Sequence, residues 1–247
     1  MEDRIYGTNS VFEALNSGRE IDKIFILEGA RHSRLAEIVA LAKKRGVHYT
    51  LVNRKKLDDL SEGGNHQGVL AFAAVHSYAE VEDILKSAEE KGEAPFILIA
   101  EGLKDPHNLG SIIRCANAAG AHGVIIPKNR SVGLNATVAK VSAGAVEYTP
   151  VARVTNIGAV IDKLKDKGVW VAGTALEGSV SYTDADLTGA LAIVIGSEGE
   201  GLSRLTREKC DFLVKIPMLG QAESLNASVA AGILLYESVR QRIAKKK

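Results

Sequence analysis

The sequence has little cysteine, no long apolar run and almost no net charge, and each absence excludes a class of protein. Its 247 residues contain two cysteines, Cys115 and Cys210. Two distant cysteines cannot form a disulfide framework or a cysteine-rich zinc site, and they fit a reducing cytoplasm. No run of about 18 apolar residues is present, and the segment MEDRIYGTNSVFEAL has no secretion-signal pattern. We therefore expect a cytoplasmic protein with no metal and no membrane span.

The charge of the whole chain does not identify a partner. The 31 lysine and arginine residues and the 30 aspartate and glutamate residues leave a formal net charge of +1. A basic face for nucleic acid can still exist, because a sum over the sequence hides local asymmetry. The length is sufficient for one large domain or two smaller ones, each with its own apolar core.

The first third of the chain alternates helical and strand patterns. Helices are expected at 8–16 and 33–42, where apolar residues recur at helical spacing. Strands are expected at 23–27, 47–52 and 68–74. Together these elements predict a small α/β domain over residues 1–76.

A charged stretch follows at residues 77–94. Its pattern predicts one short helix that stops before Gly92 and Pro95. We interpret this stretch as a linker that leads to a second domain at residues 95–247.

The second domain alternates apolar runs with helical patterns. The first run, Phe96–Ala100, is apolar throughout, which is typical of a strand covered on both faces. Further strands are expected at 123–126, 169–172, 191–195 and 212–216. Helices are expected between and after them, at 108–119, 136–146, 157–167 and 224–243. This order predicts an α/β fold with a mostly parallel sheet and helices on both of its faces.

Polar and glycine residues follow three of the predicted strands. They form the segments EGLKDPHNLGSIIRCANAAG, IGSEGEGLS and IPMLGQAESLNAS. Ligands of open α/β sheets bind at the carboxyl ends of the strands, so these segments are the candidate site. In the first segment Asn108 is expected to cap a helix, and Arg114 lies off the apolar stripe of that helix.

The glycine-rich segment argues against a nicotinamide dehydrogenase. Gly196, Gly199 and Gly201 follow the order G-x-x-G-x-G rather than G-x-G-x-x-G, and the segment lies late in the chain. Glycines at these positions let the backbone approach a ligand closely. The loop alone is equally typical of a tight turn, so its meaning depends on the other two segments.

The three segments together resemble the motifs of the SpoU/TrmH family of RNA ribose 2′-O-methyltransferases, in the SPOUT superfamily. The similar stretches are NLGSIIRCANAAG, IVIGSEGEGLS and IPMLGQAESLNASVAAGILLYE. The segments IYGTNSVFEAL and GGNHQGVLA are similar to the RNA-substrate-binding domain of that family. Nearly the whole chain is covered, and the three motifs occur in the family's order.

The resemblance implies a fold, an activity and partners. It implies a C-terminal domain with a deep trefoil knot, S-adenosylmethionine as the cofactor, and a homodimer. It also implies an RNA substrate, and the likeness is greatest to enzymes that methylate a guanosine ribose in 23S ribosomal RNA. A transfer RNA ribose methyltransferase and an inactive RNA-binding relative are the alternatives.

The resemblance also implies roles for individual residues. The residues expected to line the cofactor pocket are Thr174, Ala175, Gly196, Ile216, Pro217, Met218 and Leu225. The residues expected to act on the ribose are Arg114, Asn108, Glu198, Asn226 and Ser224. In the family the arginine is sometimes assigned as the general base. Arginine keeps its proton in proteins, so we expect Arg114 to bind a phosphate and stabilise the developing alkoxide. We expect Glu198 to position the arginine or to pair with it.

Within the first domain, His66 is either a structural histidine or an RNA contact. Basic and polar residues of the same domain are further candidates for RNA contacts, namely Arg4, Asn9, Arg31 and Arg34.

Overall fold

The computed structural model describes residues 4–30, 33–73, 76–176 and 179–245. The chain forms two compact units. The first comprises Met1–Ser77 with Gly133–Ala136, and the second comprises the remaining residues from Tyr78 onwards. Arg31, one of the predicted RNA contacts, lies outside the described residues.

Within the described residues, the first unit comprises a four-stranded sheet and three helices. Its elements are β1 (Arg4–Tyr6), α1 (Thr8–Asn16), β2 (Ile21–Leu27), α2 (Ser33–Arg45), β3 (Tyr49–Val52), α3 (Arg54–Ser61) and β4 (Val69–Ala73). The strand order is β1-β4-β2-β3, in which β2 and β3 are parallel and the other pairs are antiparallel. Apolar residues of α1 and α2, including Val11, Leu15 and Ile38, pack on strand residues such as Ile24. Together they form the core of this unit. The predicted small α/β unit is confirmed.

In the described part of the second unit, seven strands form one parallel sheet. The elements of this unit are α4 (Val81–Glu90), β5 (Phe96–Ala100), α5 (Pro106–Ala118), β6 (Gly123–Pro127), α6 (Ala136–Val141), β7 (Val151–Val154), α7 (Ile157–Asp166), β8 (Trp170–Thr174), β9 (Val180–Ser181), β10 (Leu191–Ile195), α8 (Arg204–Lys209), β11 (Phe212–Lys215) and α9 (Ala227–Lys245). The strand order is β7-β6-β5-β10-β8-β11-β9. Strand β10 therefore lies between β5 and β8, and their carboxyl ends meet at one edge of the sheet.

Helices cover both faces of this sheet, as predicted. All five residues of β5 are buried. On one face, α4 and α7 pack against alternate strand residues such as Ile97 and Ile99. On the other face, α5 contacts β6 and α9, and α9 contacts β10. A strand with both faces covered has no polar alternation, which is why these strands read as continuous apolar runs.

The stretch interpreted as a linker contains a packed helix. Val81 and Ile84 of α4 are buried in the core of the second unit. The helix begins with a capping box, in which Glu80 and Asp83 each accept a hydrogen bond from a backbone N–H of the first turn. From Tyr78 onwards the stretch therefore belongs to the second unit rather than to a free connection.

Among the described residues, no helix is long and apolar enough to span a bilayer. The trefoil knot stays a prediction.

Candidate active site

A cavity of about 450 Å³ opens at the carboxyl ends of β8, β10 and β11. This is the size of a small-molecule site, and its place at the sheet edge is typical of ligand sites in parallel sheets. Six of the seven residues predicted to contact the cofactor line it: Thr174, Ala175, Gly196, Ile216, Met218 and Leu225. Pro217 does not line the cavity, although both of its neighbours do.

The glycine-rich loop after β10 closes on itself at one side of the cavity. Ser197 N donates to Gly201 O at 3.2 Å, and Gly201 N donates to Ser197 O at 2.9 Å. A Cβ atom at Gly196 would lie 2.2 Å from the carbonyl carbon of Gly201, so only glycine permits this closure. Gly201 also has a φ of 64°, which glycine adopts without strain.

Glu101, the first residue after β5, braces this loop from the neighbouring strand. Its carboxylate accepts hydrogen bonds from Ser203 N at 3.1 Å and from Thr206 Oγ1 at 2.8 Å. The backbone N–H of Glu101 donates to Ile195 O at 2.8 Å. Glu101 was not among the predicted site residues. A carboxylate directly after an apolar strand was the available signal.

Asn108, Glu198 and Asn226 are distant in the sequence, and their side chains meet in the structure. The Oε1 atom of Glu198 accepts from Asn108 Nδ2 at 2.9 Å and from Asn226 Nδ2 at 2.6 Å. Asn226 Nδ2 also donates to Asn108 Oδ1, at 2.8 Å. The backbone N–H of Ala227 lies 3.3 Å from the same carboxylate oxygen. This Asn–Glu–Asn cluster joins the starts of α5 and α9 to the glycine-rich loop.

Asn108 does not cap helix α5, contrary to the prediction. The cap is Asp105, whose Oδ1 accepts from His107 N at 2.9 Å, and Pro106 occupies the first helical position. Proline suits that position because it has no N–H to leave unpaired. Asn108 is consequently inside the first turn, where its side chain is 7% exposed and turns to Glu198. The Asp-Pro pair in the sequence was the signal for this register.

Asn226 caps helix α9. Its Oδ1 atom accepts from Ser228 N at 2.9 Å and from Val229 N at 3.4 Å. The helix begins at Ala227, three residues after the predicted start. Because one amide group of Asn226 both caps the helix and contacts Glu198, the start of α9 is fixed relative to the glycine-rich loop.

Ser224 and Arg114, the other predicted ribose contacts, do not join the Asn–Glu–Asn cluster. Ser224 and Glu198 line the cavity, whereas Arg114 is exposed on α5 and does not. Among the residues that the structure describes, Glu198 forms no ion pair with Arg114 and is bound by the asparagines instead. The cluster and the cavity therefore lie together, with Arg114 nearly two turns farther along α5 than Asn108.

The walls of the cavity suit S-adenosylmethionine. Apolar side chains, including Leu202, Val214, Ile216 and Leu225, can cover an adenine ring. Glu198, Glu200 and Glu223 line the same cavity and offer carboxylates to a cationic ligand, while Arg207 and Lys215 offer cations to a carboxylate.

The cysteine beside this site is structural. Burial raises the pKa of the Cys210 thiol to about 12, and Cys210 Sγ donates to Thr206 O at 3.1 Å. A thiol that keeps its proton at neutral pH is a poor nucleophile. No group of three or more histidine, cysteine, aspartate or glutamate side chains suited to a metal ion occurs in the described part of the chain.

In the first unit, His66 holds its own loop. It is buried, its Nδ1 accepts from Gly68 N at 2.9 Å, and its Nε2 lies 2.8 Å from Asp58 Oδ1. The structural role is thus the one that the contacts support. Two of the predicted RNA contacts form ion pairs within this unit, Arg4 with Glu62 and Arg34 with Glu37.

Comparisons with known proteins agree with this geometry. The SpoU rRNA Methylase family matches residues 95–236, and the family described as RNA 2′-O ribose methyltransferase substrate binding matches residues 4–79. A protein of Bacillus subtilis described as a TrmH family tRNA/rRNA methyltransferase, YacO, is 51% identical over 240 residues, which cover 97% of this chain and 96% of the relative.

Two solved structures extend the likeness to the cofactor. The SpoU methyltransferase AviRb of Streptomyces viridochromogenes, in complex with S-adenosylmethionine, is 27% identical with a TM-score of 0.62, covering 98% of this chain and 91% of that one. The S-adenosylmethionine-bound rRNA methyltransferase of Sinorhizobium meliloti is 28% identical with a TM-score of 0.59, covering 96% and 86%. This chain belongs to the SpoU family of S-adenosylmethionine-dependent RNA 2′-O-methyltransferases.

Proposed function

We propose that the protein transfers a methyl group from S-adenosylmethionine to the 2′-hydroxyl of a guanosine ribose in 23S ribosomal RNA. The observation that carries this proposal is the Asn–Glu–Asn cluster, formed by Asn108, Glu198 and Asn226, beside a cofactor-sized cavity. In this proposal residues 95–247 form the catalytic domain and residues 1–76 bind RNA.

The cofactor is held by the cavity at the carboxyl ends of β8, β10 and β11. Its contacts are Thr174, Ala175, Gly196, Ile216, Met218 and Leu225, with Pro217 shaping the backbone between two of them. When bound, S-adenosylmethionine supplies an electrophilic methyl group on a sulfonium centre. Largely apolar walls exclude water around that centre and leave the ribose hydroxyl as the nucleophile.

Glu198 and the two asparagines position the ribose. Three N–H groups donate to Glu198 Oε1, and these bonds fix the position of the carboxylate. The second carboxylate oxygen and Ser224, which lines the cavity, are available to hydrogen-bond the ribose. Holding two reacting atoms in line supplies much of the acceleration of such a displacement.

Arg114 stabilises charge on the substrate. An arginine guanidinium is a cation with five N–H donors and no acceptor, so the role of Arg114 is to bind and stabilise negative charge. It is exposed on α5, where a nucleotide phosphate can reach it. A phosphate oxygen or a water molecule takes the hydroxyl proton while Arg114 stabilises the developing alkoxide.

Ribosomal RNA is favoured by the two-unit architecture. The solved Sinorhizobium meliloti rRNA methyltransferase matches 96% of this chain, including the N-terminal unit. Transfer RNA is the second candidate, because the Bacillus subtilis relative is described with both RNA classes.

A homodimer is supported by an apolar stripe on α9. Val229, Ile233, Tyr236 and Ile243 recur at helical spacing, and three of them are exposed. Exposed apolar residues on one helix are typical of a surface for a partner, and self-association through them gives a symmetric dimer. Helix α9 also packs against α5, the helix that carries Arg114. Light scattering of a Tyr236→Glu variant tests this, with a monomer as the expected result.

Methyl transfer to fractionated RNA tests the activity and the substrate together. Ribosomal and transfer RNA are prepared from cells that lack the protein and are incubated with tritiated S-adenosylmethionine. We expect incorporation into 23S RNA. Incorporation into transfer RNA alone would move the assignment to the second candidate. Calorimetry that detects cofactor binding without transfer to either RNA would indicate an inactive RNA-binding relative.

A further inference from the structure

A second cavity, of about 570 Å³, shares residues of the glycine-rich loop with the cofactor cavity. It is formed by the segments that follow β5, β6, β7 and β10. Its lining residues include Glu101, Lys104, Asn129, Arg130, Ile157 and Leu205. No residue that the sequence assigned to the cofactor or the ribose lies in this set.

The two cavities share one thin wall. Ser197, Glu200 and Gly201 line both of them. These residues belong to the loop 196–201, in which three of the six residues are glycines, so little side-chain volume separates the two cavities. The segment 101–105, which lines the second cavity, leads directly into α5 and therefore to Asn108. The second cavity therefore adjoins the cofactor cavity through the glycine-rich loop.

The surface of the second cavity combines an apolar floor with unpaired polar groups. Pro127, Ile157 and Leu205 supply the apolar part, and Leu205 is 53% exposed, so its side chain is accessible to a ligand. Lys104 and Arg130 lie at the rim. Neither of these two side chains forms a hydrogen bond or an ion pair with any residue in the described ranges.

This pattern fits a nucleotide. A base needs apolar surface for its faces and hydrogen-bonding groups at its edge, while its phosphate needs lysine or arginine. Asn129 and Glu200 supply a donor and acceptors for a base edge, and the two cations suit a phosphate. The Glu101 carboxylate accepts hydrogen bonds from Ser203 N and Thr206 Oγ1, and within the described residues it forms no ion pair with Lys104 or Arg130.

We propose that the second cavity binds one nucleotide of the RNA substrate, unstacked from its helix, during methyl transfer. The base lies on Leu205, and the phosphate is bound by Lys104 and Arg130. This rests on the proposed function, since it assigns a substrate subsite beside the same reaction centre. An unstacked nucleotide gives the ribose hydroxyl access to a buried methyl donor that a base-paired nucleotide lacks.

The variants for the test are a double substitution, Lys104→Gln with Arg130→Gln, and a single substitution, Leu205→Ser. Arg204→Gln is the matched control, because Arg204 is a neighbour of Leu205 that is 90% exposed and outside both cavities. For each protein, calorimetry gives the affinity for S-adenosylmethionine and tritium transfer gives kcat and KM for RNA. We expect the double variant and the Leu205 variant each to raise the KM for RNA about tenfold with unchanged cofactor affinity. A KM within twofold of that of the Arg204 control would overturn the proposal.

A binding measurement keeps the test independent of activity. Ligand-observed NMR with the four 5′-ribonucleoside monophosphates, in the presence of S-adenosylhomocysteine, reports contact with the wild-type protein. We expect contact for at least one of them, lost in the double variant and retained in the Arg204 control. No contact, or equal contact in all three proteins, refutes the second cavity as a nucleotide site. A wild-type protein that binds a nucleotide in this manner but methylates no RNA would instead refute the proposed function.

Discussion

The chain has one glycine-rich loop around His66 in the first unit and another around Glu198 in the second. The polar residues of these two loops form contacts of opposite kinds. In the first unit, His66 is buried and bonds to Gly68 and Asp58, which are two and eight residues away. In the second unit, Glu198 is exposed and bonds to Asn226 and Asn108, which are 28 and 90 residues away. Both loops contain several glycines around one polar side chain, so composition does not distinguish them.

The difference lies in the sequence distance to the partners. Local bonds hold a turn in shape and can be satisfied by the loop alone. Bonds to the starts of two separate helices instead bring three segments to one point at the sheet edge, which is where parallel sheets bind ligands. From this contrast we expect substitutions in the second loop to reduce catalysis and substitutions in the first to reduce stability.

The largest expected effect is that of Arg114→Ala. If Arg114 stabilises the developing alkoxide, as we propose, its loss should lower kcat about a thousandfold. Cofactor affinity, measured by calorimetry, should be unchanged, because Arg114 does not line the cofactor cavity. Retained turnover in the tritium assay would remove Arg114 from the reaction. Arg204→Ala, at another exposed arginine, is the control and should have wild-type activity.

Glu198→Ala should lower kcat about a hundredfold, since it releases Asn108, Asn226 and the N–H of Ala227 together. The unfolding transition should move little, because Glu198 is exposed. Glu208→Ala, which removes an exposed carboxylate from α8, is the matched control. If Glu198→Ala lowered stability and left kcat unchanged, the two loops would be alike and the comparison would fail.

His66→Ala should have the reverse effect. Gly68 N–H loses its acceptor in a buried loop, which costs about 1–3 kcal/mol of unfolding free energy. Denaturant titration measures this loss, and Asn65→Ala, at the exposed neighbouring position, is the control. The kcat of the folded protein should stay at the wild-type value. A drop in kcat with unchanged stability would make His66 a substrate contact.

The smallest effect concerns His122, which in the second unit repeats the bonding of His66. Its Nδ1 accepts from Phe96 N at 3.0 Å. Burial lowers the pKa of His122 below 6.5, aided by Lys91 and opposed by Glu93. The unfolded chain therefore takes up the proton first, so this stabilisation is complete above pH 6.5 and is lost as the pH falls. Unfolding free energies at about pH 7.5 and about pH 5.5 should differ more in the wild type than in His122→Gln. Equal differences would contradict this role.

For the second unit, the sequence predicted the positions of several strands but not the order of the strands in the sheet. Strands such as Phe96–Ala100 and Leu191–Ile195 are observed at their predicted bounds, because a strand buried on both faces is apolar throughout. The insertion of β10 between β5 and β8 has no local signal, since strand order depends on contacts between distant segments. Helix Arg54–Ser61 was not predicted, because only Leu57 and Ser61 of it are buried and no apolar stripe results.

The sequence predicted which three motifs form the site, but it did not predict the contacts between their residues. The resemblance supplied Asn108, Glu198 and Asn226, but the expected pairing of Glu198 with Arg114 is replaced by bonds to both asparagines. Glu101 and the second cavity depend on which loops become neighbours, and this follows from strand order. Residue types therefore indicated the chemistry, whereas the partners of each residue required the fold.

Mapping of 2′-O-methyl groups in total RNA is the most direct test of the proposed function. RNA is compared from cells that contain the protein, cells that lack it and cells that carry only the Arg114→Ala variant. We predict that one guanosine of 23S ribosomal RNA loses its methyl group in the second and third cases. Loss confined to transfer RNA, or an unchanged map in cells that lack the protein, would contradict the proposal.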